Sequence, residues 1–546
     1  MSADVTSRPA GERFALSPFA LNALVATYLL IACNKTFWGH LLRIFDGRIL
    51  AATGFVLVIW ALILLLIALL AVRRLQKPVL IGLLIIAAVS SYYVDVLGVV
   101  VDREMIQNAM TTTFAESKHL ITLRFVSHVV LYGVLPGAVV LWVPVRRSGI
   151  GRAAAGWALV TVGATAMVVG ILFANFKGYS AVLRERKELL ASAQPLAPVA
   201  AAARYARMML KSSTIVVATT GADAKPGPLL SKSGPPVLMV IVAGETARAA
   251  NWSLGGYGRE TNPMLAARDV LYFSNVSSCG TATAVSLPCM FSPLTQAEYS
   301  FNGGLSNENL LDVLGRAGFK VEWWDNNTGD KAVAARFSPV FMTEKDSLEH
   351  CQKGNECNDG VFLKRLTELS QNMTQNTVVV LHQIGSHGPS YWLRYPDERE
   401  VFTPACKTPD LAACSSEEIV NAYDNTILYT DQTLSETIDM LDAQGRVIPA
   451  LYYVSDHGES LGEGGLYLHG APAFMAPTEQ THVPMVLWMS ARFRERFALD
   501  QACLAKETGN AVSHDNMFST VLGLVDVSTT ARNPALDLTA PCRPGA

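Results

Sequence analysis

A chain of 546 residues exceeds the size at which one hydrophobic core usually stops growing, so we expect two or more domains. Its formal net charge is only −2 and its basic residues form no long stripe, which excludes the electrostatic footprint of a nucleic-acid-binding protein. Apolar residues make up 50% of the chain, and their long runs precede about residue 176. The composition therefore predicts a membrane half followed by a half of ordinary α/β character.

The first half contains five apolar segments that approach the ~20 residues needed to cross a bilayer. They are 17–33, 51–72, 79–100, 123–145 and 153–176. No cleavage-site pattern follows the first segment and further spans do, so we interpret it as an anchor and not as a signal peptide. We expect a transmembrane domain over 1–177, built as a bundle of five helices.

Basic residues in the short loops predict the orientation of these spans. Three clusters fall on one side: Arg8 and Arg13; Arg73, Arg74 and Lys77; and Arg146, Arg147 and Arg152. Lys35, Arg43 and Arg48 in the first outer loop run against this pattern, but the three clusters are denser and agree with one another. The positive-inside rule places them in the cytoplasm, so an odd number of spans carries the chain after residue 176 to the opposite face.

The nine cysteines test this topology independently. Cys33 lies in the first span, whereas the other eight follow the last span, and an even number in an extracytoplasmic domain predicts four disulfides. Proximity along the chain favours Cys279 with Cys289, Cys351 with Cys357, Cys406 with Cys414, and Cys503 with Cys542, although ~105 connectivities are open to eight cysteines. The alternative, a cytosolic metal cluster, is disfavoured because the sequence has no C-x-x-C pair.

The segment 178–236 connects the two halves. The segment starts with charged residues, continues with Ala- and Pro-rich sequence and ends in Gly- and Pro-rich sequence, which is typical of a connector. Basic residues are interleaved with apolar ones over 199–210, which predicts a helix there. This helix could lie along the membrane surface, or the segment could be a solvated linker. Both interpretations stay open on the sequence.

The second half, 237–546, alternates short apolar runs with helical patterns. Strands are predicted at 237–243, 320–324, 377–382, 450–455 and 483–489, with helices such as 307–317 and 419–443 between them. This order is typical of an α/β domain with a mainly parallel sheet between two layers of helices.

Metal-ligand side chains follow two of these strands directly. Glu245 comes after the strand 237–243, and Asp456 and His457 come after the strand 450–455. Ligands of open α/β sheets gather beyond the carboxyl ends of the strands, so these three side chains are expected to converge there. Two carboxylates and one imidazole suit Zn²⁺, or less well Mn²⁺. Each residue alone has an ordinary alternative, as a helix cap or as a hydrogen-bonded surface histidine.

The segment 277–289 is dense in hydroxyl groups and is bounded by two cysteines. A metal with three protein ligands keeps one position open, and a coordinated threonine or serine hydroxyl becomes a competent nucleophile because its pKa falls. Without the metal set, a disulfide-tied loop with no chemistry would be the simpler interpretation.

Five motifs in this half resemble those of bacterial phosphoethanolamine transferases. The motifs are Gly244-Glu245-Thr246-x-Arg248, Cys279-Gly280-Thr281-Ala282-Thr283-Ala284-x-Ser286-x-Pro288-Cys289-Met290, Asp325-Asn326-Asn327, His382-Gln383-x-Gly385-Ser386-His387-Gly388-Pro389 and Ser455-Asp456-His457-Gly458-Glu459-Ser460-Leu461-Gly462-Glu463. The family includes the lipid A enzymes and the mobile colistin-resistance proteins, within the alkaline phosphatase and sulfatase superfamily. The resemblance covers nearly the whole chain, including the five spans.

The resemblance implies a role for individual residues. Thr283 matches the nucleophile, and Glu245, Asp456 and His457 match its partners in binding zinc. Further residues match groups near the substrate: Asn327, Thr328 and Lys331 near the headgroup, and His387 and His469 on the phosphate or on a second zinc. In the outer loop 102–113, Glu104 and Asn108 either help to position the donor or belong to an ordinary connector.

The implied activity is a ping-pong transfer of phosphoethanolamine from phosphatidylethanolamine to a lipid A phosphate. The zinc-bound threonine would carry the group as a covalent intermediate, and the lower negative surface charge would give polymyxin resistance. The implied protein is a monomeric multi-pass enzyme of the bacterial inner membrane with its catalytic domain in the periplasm.

Other activities remain open on the sequence. They are the same transfer to the lipopolysaccharide core or another glycan, and a membrane phosphodiesterase. A teichoic-acid glycerophosphate transferase is disfavoured because such enzymes typically lack this disulfide framework. An inactive scaffold is disfavoured because Glu245, Thr283, Asp456 and His457 are all present. A sulfatase is disfavoured because the C/S-x-P-x-R context of its modified residue does not surround Thr283.

Overall fold

The computed structural model describes residues 15–112, 117–146, 148–212, 215–351 and 356–543. The chain divides into two compact units. The first consists of Met1–Arg103 with Ile121–Arg204, and the second of Glu104–Leu120 with Tyr205–Ala546. The segment 104–120, which interrupts the membrane helices along the chain, therefore belongs to the same unit as the α/β domain.

The first unit is helical. Its helices are α1 Pro18–Ala32, α2 Lys35–Ile44, α3 Ile49–Leu70, α4 Gln76–Leu97, α6 Leu123–Trp142, α7 Ile150–Ala174, α8 Phe176–Glu185 and α9 Lys187–Ala191, while α5 Arg103–Thr111 and α10 Leu196–Ser212 run across the unit boundaries. Four of them, α3, α4, α6 and α7, are long and apolar enough to cross a membrane, which confirms four of the five predicted spans. The helix expected at 199–210 is present within α10. Of the basic residues used for orientation, Arg8, Arg13 and Arg147 lie outside the described residues.

The first predicted span, 17–33, forms the single helix α1, and the chain bends directly after it. Its 15 residues in α1 rise only about 22 Å, less than the ~30 Å of a bilayer core, and α2 leaves at an angle of 72°. Asn34 stands at the bend, where its side-chain amide donates to the Leu29 carbonyl at 2.8 Å and to the Gln194 carbonyl at 3.0 Å. A buried asparagine with these partners is well satisfied only where the helix breaks, which the hydropathy pattern does not reveal.

The second unit contains an eight-stranded sheet. The strands of the chain are β1 Lys225–Pro226, β2 Val237–Gly244, β3 Leu271–Ser277, β4 Lys320–Asp325, β5 Val340–Phe341, β6 Thr377–His382, β7 Ile448–Ser455, β8 Ser460–Leu461, β9 Tyr467–Leu468, β10 His482–Met489, β11 Val512–Ser513 and β12 Val527–Ser528. The sheet order is β11-β3-β10-β7-β2-β6-β4-β5. All five predicted strands are present, and β2, β6 and β7 are buried along their whole length, as expected for strands covered on both faces.

The sheet is mixed: it is mainly parallel, as predicted, and one strand, β10, is reversed. Strands β7, β2, β6, β4 and β5 are parallel to one another, but β10 runs antiparallel to both β7 and β3. Because β7 ends at the edge where β10 begins, the connection between them stays at that edge. An apolar run does not encode the direction of its strand, so the sequence could not show this reversal.

Helices and short loops surround this sheet. The helices are α11 Pro263–Ala266, α12 Thr283–Met290, α13 Phe301–Leu305, α14 Leu310–Arg316, α15 Phe362–Asn372, α16 Ser416–Asp442, α17 Thr478–Thr481, α18 Ala491–Phe497, α19 Gln501–Glu507 and α20 Asp515–Leu524. The 27-residue α16 begins with a capping box in which Ser415 and Glu418 satisfy each other's backbone N–H groups.

The structure forms four disulfides, and they are the four that proximity along the chain favours. Cys279 pairs with Cys289, Cys351 with Cys357, Cys406 with Cys414, and Cys503 with Cys542. Cys33 is the free cysteine of the described chain and is buried. Three of the four disulfides close short loops, whereas the fourth spans a separation of 39 residues.

The loop lengths predict unequal losses of stability. Removing Cys503–Cys542, with a separation of 39, should lower the free energy of unfolding by about 4 kcal/mol, against about 2 kcal/mol for Cys351–Cys357, with a separation of 6, because a longer loop restricts the unfolded chain more. Thermal unfolding of the two double Cys→Ala variants of the full chain in detergent measures the difference. An equal loss, or the reverse order, would contradict the entropic account.

Candidate active site

Side chains from several strand ends meet at one edge of the sheet. Glu245 directly follows β2, and Asp456 directly follows β7, the strand beside it. Thr283 is the first residue of α12, which follows β3. The Asp456 N–H donates to the Gly244 carbonyl at 2.9 Å, so the two carboxylate-bearing turns are joined through their backbones.

Four donor atoms form a compact cage at this edge. Thr283 Oγ1 lies 3.2 Å from both carboxylate oxygens of Glu245 and 3.3 Å from His457 Nε2. His457 Nε2 lies 3.4 Å from Glu245 Oε1 and 3.5 Å from Asp456 Oδ2. The ligands of a tetrahedral zinc ion with bonds of about 2.1 Å lie about 3.4 Å apart, so these separations fit the edges of such a tetrahedron.

The side chains of Asp456 and His457 are oriented toward the cage by hydrogen bonds to their other polar atoms. Asp456 Oδ1 accepts from the backbone N–H groups of Thr246 and of His457, at 3.2 and 2.7 Å, whereas Asp456 Oδ2 is buried with no hydrogen-bond partner among the described residues. His457 Nδ1 lies 2.9 Å from the Gly458 carbonyl and can only donate to it, which leaves the Nε2 lone pair for a metal. An orphaned buried carboxylate oxygen and an imidazole in this tautomer fit a divalent cation.

The electrostatics of the two carboxylates point the same way. Burial raises the pKa of Asp456, and the neighbouring Glu245 carboxylate adds to this, bringing that pKa to about 6. Burial acts on Glu245 in the same direction, but the imidazoles of His457, His387 and His469 outweigh it and hold its pKa at about 2. The two carboxylates oppose each other's ionisation, and a divalent cation shared by both would stabilise the ionised form of each.

Thr283 is held at the start of its helix and is almost fully buried, with 4% of its surface exposed. The positive end of the α12 backbone favours negative charge at this position. Cys279 and Cys289 join the loop before the helix to its last turn. Gln107 Nε2 also donates to the Ala284 carbonyl at 3.1 Å, so the segment 104–120 is bonded to the residue after Thr283.

Two further histidines line the same edge. The ring of His469 lies 4.4 Å from the His457 ring and 5.3 Å from the His387 ring, measured between centroids. His469 Nδ1 lies 2.9 Å from Glu459 Oε2, while Glu459 Oε1 accepts from the Tyr391 hydroxyl at 2.6 Å. The sequence motif contains Glu459, but only the fold shows that it holds His469. Burial raises the pKa of Glu459 to about 8.

His387 reaches this edge because the backbone of its loop approaches Glu245 closely. Gly385 has a φ of +50°, and a Cβ atom there would lie 2.4 Å from the Glu245 carbonyl oxygen, so the position requires glycine. The Ser386 N–H donates to that same carbonyl at 3.0 Å. Asp359, buried beneath the loop, accepts from the N–H groups of Ile384 and Gly385, both at 2.9 Å.

Asn327 lies against a metal-site residue and not at the periphery. Its side-chain amide donates to Glu245 Oε2 at 2.8 Å and to the Gln383 carbonyl at 2.7 Å, so both N–H groups are used in positioning the site. Asp325 Oδ1 accepts from the Asn327 N–H at 2.9 Å, and its Oδ2 lies 2.9 Å from His382 Nδ1. Burial would raise the pKa of Asp325, but His382 outweighs it and holds that pKa at about 2.

The remaining predicted residues lie around this centre. Lys331 Nζ donates to the hydroxyl of Thr328 at 2.7 Å and to the Thr111 carbonyl at 3.1 Å, so it too is bonded to the segment 104–120. A cavity of about 370 Å³ adjoins Asn327 and Thr328. Asn108 is half-buried in α5, and none of the hydrogen bonds within the described residues joins its side chain to the metal cluster.

Two features of this site were not predicted from the sequence. Strand β3, which leads to Thr283, was not predicted, although Tyr272, Phe273 and Val276 are the β-prone residue types that mark a strand. The contact between Gln107 and Ala284 had no local signal at all, because the residues are 177 positions apart.

The fold and the cluster together define a class, an α/β domain with a mixed sheet whose strand ends bring together two carboxylates and one histidine that could hold a metal ion. The sulfatase family matches residues 238–527, and the family described as phosphoethanolamine transferase EptA/EptB matches residues 59–210.

Individual relatives cover most of the chain. Phosphoethanolamine transferase EptA of Salmonella typhimurium is 40% identical over 469 residues, 84% of each chain. Phosphatidylethanolamine transferase Mcr-1 of Escherichia coli is 36% identical over 534 residues, covering 94% of this chain and 96% of that protein. The structure of the integral membrane protein lipooligosaccharide phosphoethanolamine transferase A from Neisseria meningitidis matches with a TM-score of 0.93 and 34% identity, over 97% of this chain and 99% of that one. The chain belongs to the phosphoethanolamine transferase family.

The cluster predicts that zinc stabilises the folded chain. Free Zn²⁺ at 100 times its Kd should raise the free energy of unfolding by about 2.7 kcal/mol, and Asp456→Asn should lose most of this gain because an amide carries no charge. Thermal unfolding of the full chain with zinc and with a chelator measures both. Asp431 is a second buried carboxylate and accepts from the Met264 and Leu265 N–H groups. The variant Asp431→Asn is therefore the matched control, and it should keep the stabilisation by zinc. An undiminished effect in Asp456→Asn would contradict the assignment.

Proposed function

We propose that this protein transfers phosphoethanolamine from phosphatidylethanolamine to a phosphate of lipid A, with Thr283 as the nucleophile. The observation that carries the proposal is the Thr283 hydroxyl inside a cage of two carboxylates and one imidazole, in a chain of the phosphoethanolamine transferase family. Relatives named for transfer of phosphoethanolamine, some of them to Kdo(2)-lipid A, support the donor group and the class of acceptor.

Glu245, Asp456 and His457 would hold a zinc ion, and the fit of their spacing to a tetrahedron supports this. When bound, zinc would lower the pKa of the attacking hydroxyl and stabilise charge on the phosphoryl oxygens. Asn327 holds the Glu245 carboxylate in place, and backbone N–H groups hold one oxygen of Asp456, so both ligands are oriented before substrate arrives.

In the first half-reaction, Thr283 Oγ1 attacks the phosphorus of phosphatidylethanolamine. The Thr283 hydroxyl gives up its proton to water and the Thr283–phosphorus bond forms. The bond from phosphorus to the glycerol oxygen breaks, and diacylglycerol leaves once that oxygen is protonated. We assign His469 as the group that would protonate the departing oxygen. Its Nδ1 lies 2.9 Å from Glu459 Oε2, which leaves the other ring nitrogen for this role. His387, whose ring lies 5.3 Å from that of His469, and Lys331 would supply polar or cationic groups for the phosphate. The cavity beside Asn327 and Thr328 offers space for the headgroup.

In the second half-reaction, a lipid A phosphate oxygen attacks the phosphothreonine and Thr283 leaves with its proton restored. The acceptor gains a positively charged ethanolamine, which lowers its net negative charge and weakens attraction to cationic polymyxins. Transfer to the lipopolysaccharide core or to water would use the same intermediate, so these remain the alternative acceptors.

We further propose that the chain lies in the bacterial inner membrane with its second unit in the periplasm. Four long apolar helices and the four disulfides of the second unit support this, and counting the bent pair α1–α2 as one crossing gives five spans. Donor and acceptor are both lipids, so an anchored catalytic unit searches in two dimensions and works at a high effective concentration.

Mass spectrometry of lipid A tests the nucleophile and the acceptor together. In a Gram-negative host without its own such enzyme, the parent chain should add phosphoethanolamine, Thr283→Ser should keep part of the activity, and Thr283→Ala should add none. Thr530→Ala, which removes an exposed hydroxyl of the same type, is the control and should match the parent. Unmodified lipid A with folded, membrane-located parent protein would overturn lipid A as the acceptor.

The role of His469 can be separated from that of the metal ligands by changing the leaving group. His469→Ala should slow transfer from phosphatidylethanolamine by about 100-fold or more, because the glycerol oxygen leaves poorly without a proton. With phosphoethanolamine esterified to p-nitrophenol as the donor, the same variant should lose less than about tenfold in rate, because the phenolate leaves unprotonated. The rates of product release from the two donors give the comparison, with His482→Ala as a histidine control. Equal losses with both donors would contradict a role as general acid.

A further inference from the structure

A cavity of about 520 Å³ lies within the first unit, apart from the chemistry of the second. It is formed where the turn between α3 and α4 meets the beginnings of α1 and α7. Phe19 and Trp157 are among its apolar walls, and its volume falls in the usual range for small-molecule and lipid sites.

The charged residues among those described for the lining are all basic. Arg73, Arg74 and Lys77 face the cavity, and none of its described lining residues is an aspartate or a glutamate. Arg73 and Arg74 are exposed and form no ion pair within the described residues. Lys77 Nζ donates to the carbonyls of Leu141 and Val143, at 2.7 and 2.8 Å, and neutral acceptors hold the ammonium group without cancelling its charge. The cavity therefore presents three uncompensated cations beside an apolar wall.

Hydrogen bonds between helices hold the walls in place. Trp157 Nε1 donates to the Ala68 carbonyl at 2.8 Å, which ties α7 to the end of α3. Gln76 is buried, and its side-chain amide donates to Asn22 Oδ1 and to the Pro18 carbonyl, both at 2.8 Å, which ties α4 to the start of α1. Because these bonds are internal, the site is formed before any ligand binds.

We propose that this cavity binds an anionic phospholipid of the cytoplasmic leaflet. The positive-inside rule assigns this end of the helices to the cytoplasm, where anionic headgroups are attracted to basic clusters. The lipid phosphate would lie against Arg73 and Arg74, with an acyl chain along Phe19 and Trp157. A free phosphate would leave the apolar wall exposed to water, and a zwitterionic headgroup would leave the excess positive charge uncompensated, so the two features together select an anionic lipid.

Native mass spectrometry of the full chain in detergent tests this, with phosphatidylglycerol and phosphatidylethanolamine supplied at equal concentration. The parent should retain phosphatidylglycerol preferentially, and Arg73→Ala with Arg74→Ala should lower that retention about thirtyfold, since each basic residue contributes roughly a fivefold factor at an anionic surface. Arg73→Lys with Arg74→Lys should keep most of the retention, which separates lost charge from lost folding.

Arg152→Ala is the matched control. Arg152 is exposed at the same end of α7, but Ile150, Ala153, Ala154 and Trp157 are the residues of that helix that line the cavity. The Arg152→Ala variant should retain as much phosphatidylglycerol as the parent. Equal retention in the parent and in the double alanine variant, a preference for phosphatidylethanolamine, or displacement of the lipid by millimolar inorganic phosphate would each overturn the proposal.

Discussion

The burial of two carboxylates side by side is the constraint on which the second unit depends. Glu245 and Asp456 are both fully buried, where adjacent strands end, and each makes ionisation of the other harder. Burying like charges together is costly unless a cation or a network of donors compensates them. The structure supplies donors to one side of each carboxylate, from Asn327 and from the Thr246 and His457 N–H groups, and leaves the other side facing Thr283. The Thr283 hydroxyl therefore lies beside two buried carboxylates, where a divalent cation would compensate their charge.

The sheet topology explains how distant segments reach this point. Parallel strands β2, β4, β6 and β7 end at one edge, so the turns that follow them converge. The antiparallel direction of β10 brings in a further residue, because the chain from β7 to β10 stays at that edge. This connection contains His469, whose ring centroid lies 4.4 Å from that of His457. A parallel β10 would have required a crossover to the opposite edge and would have taken this loop away from the metal cluster.

The segment 104–120 shows that the division of the molecule does not follow the chain. It lies between two membrane helices in the sequence, yet Gln107 bonds to the residue after Thr283, and Thr111 accepts from Lys331. This hydrogen bond to the Ala284 carbonyl means that the loop between spans helps to fix the start of α12. The first unit has a cavity of its own, in which Arg73, Arg74 and Lys77 lie beside an apolar wall.

The sequence by itself determined the features that depend on local pattern. Runs of apolar residues located the five predicted strands and four of the membrane helices, and cysteines close along the chain paired. The residues directly after β2 and β7 converge, as expected, into a group that could hold a metal ion. Only the tertiary structure decided the rest: the reversal of β10, the break at Asn34, the use of Asn327 to hold Glu245, the pairing of Glu459 with His469 and the contact of Gln107 with α12. Periodicity reports which face of an element is buried and where it ends. It carries no information about strand direction or about which side chain lies opposite another across 177 residues, because packing of the whole chain selects those partners.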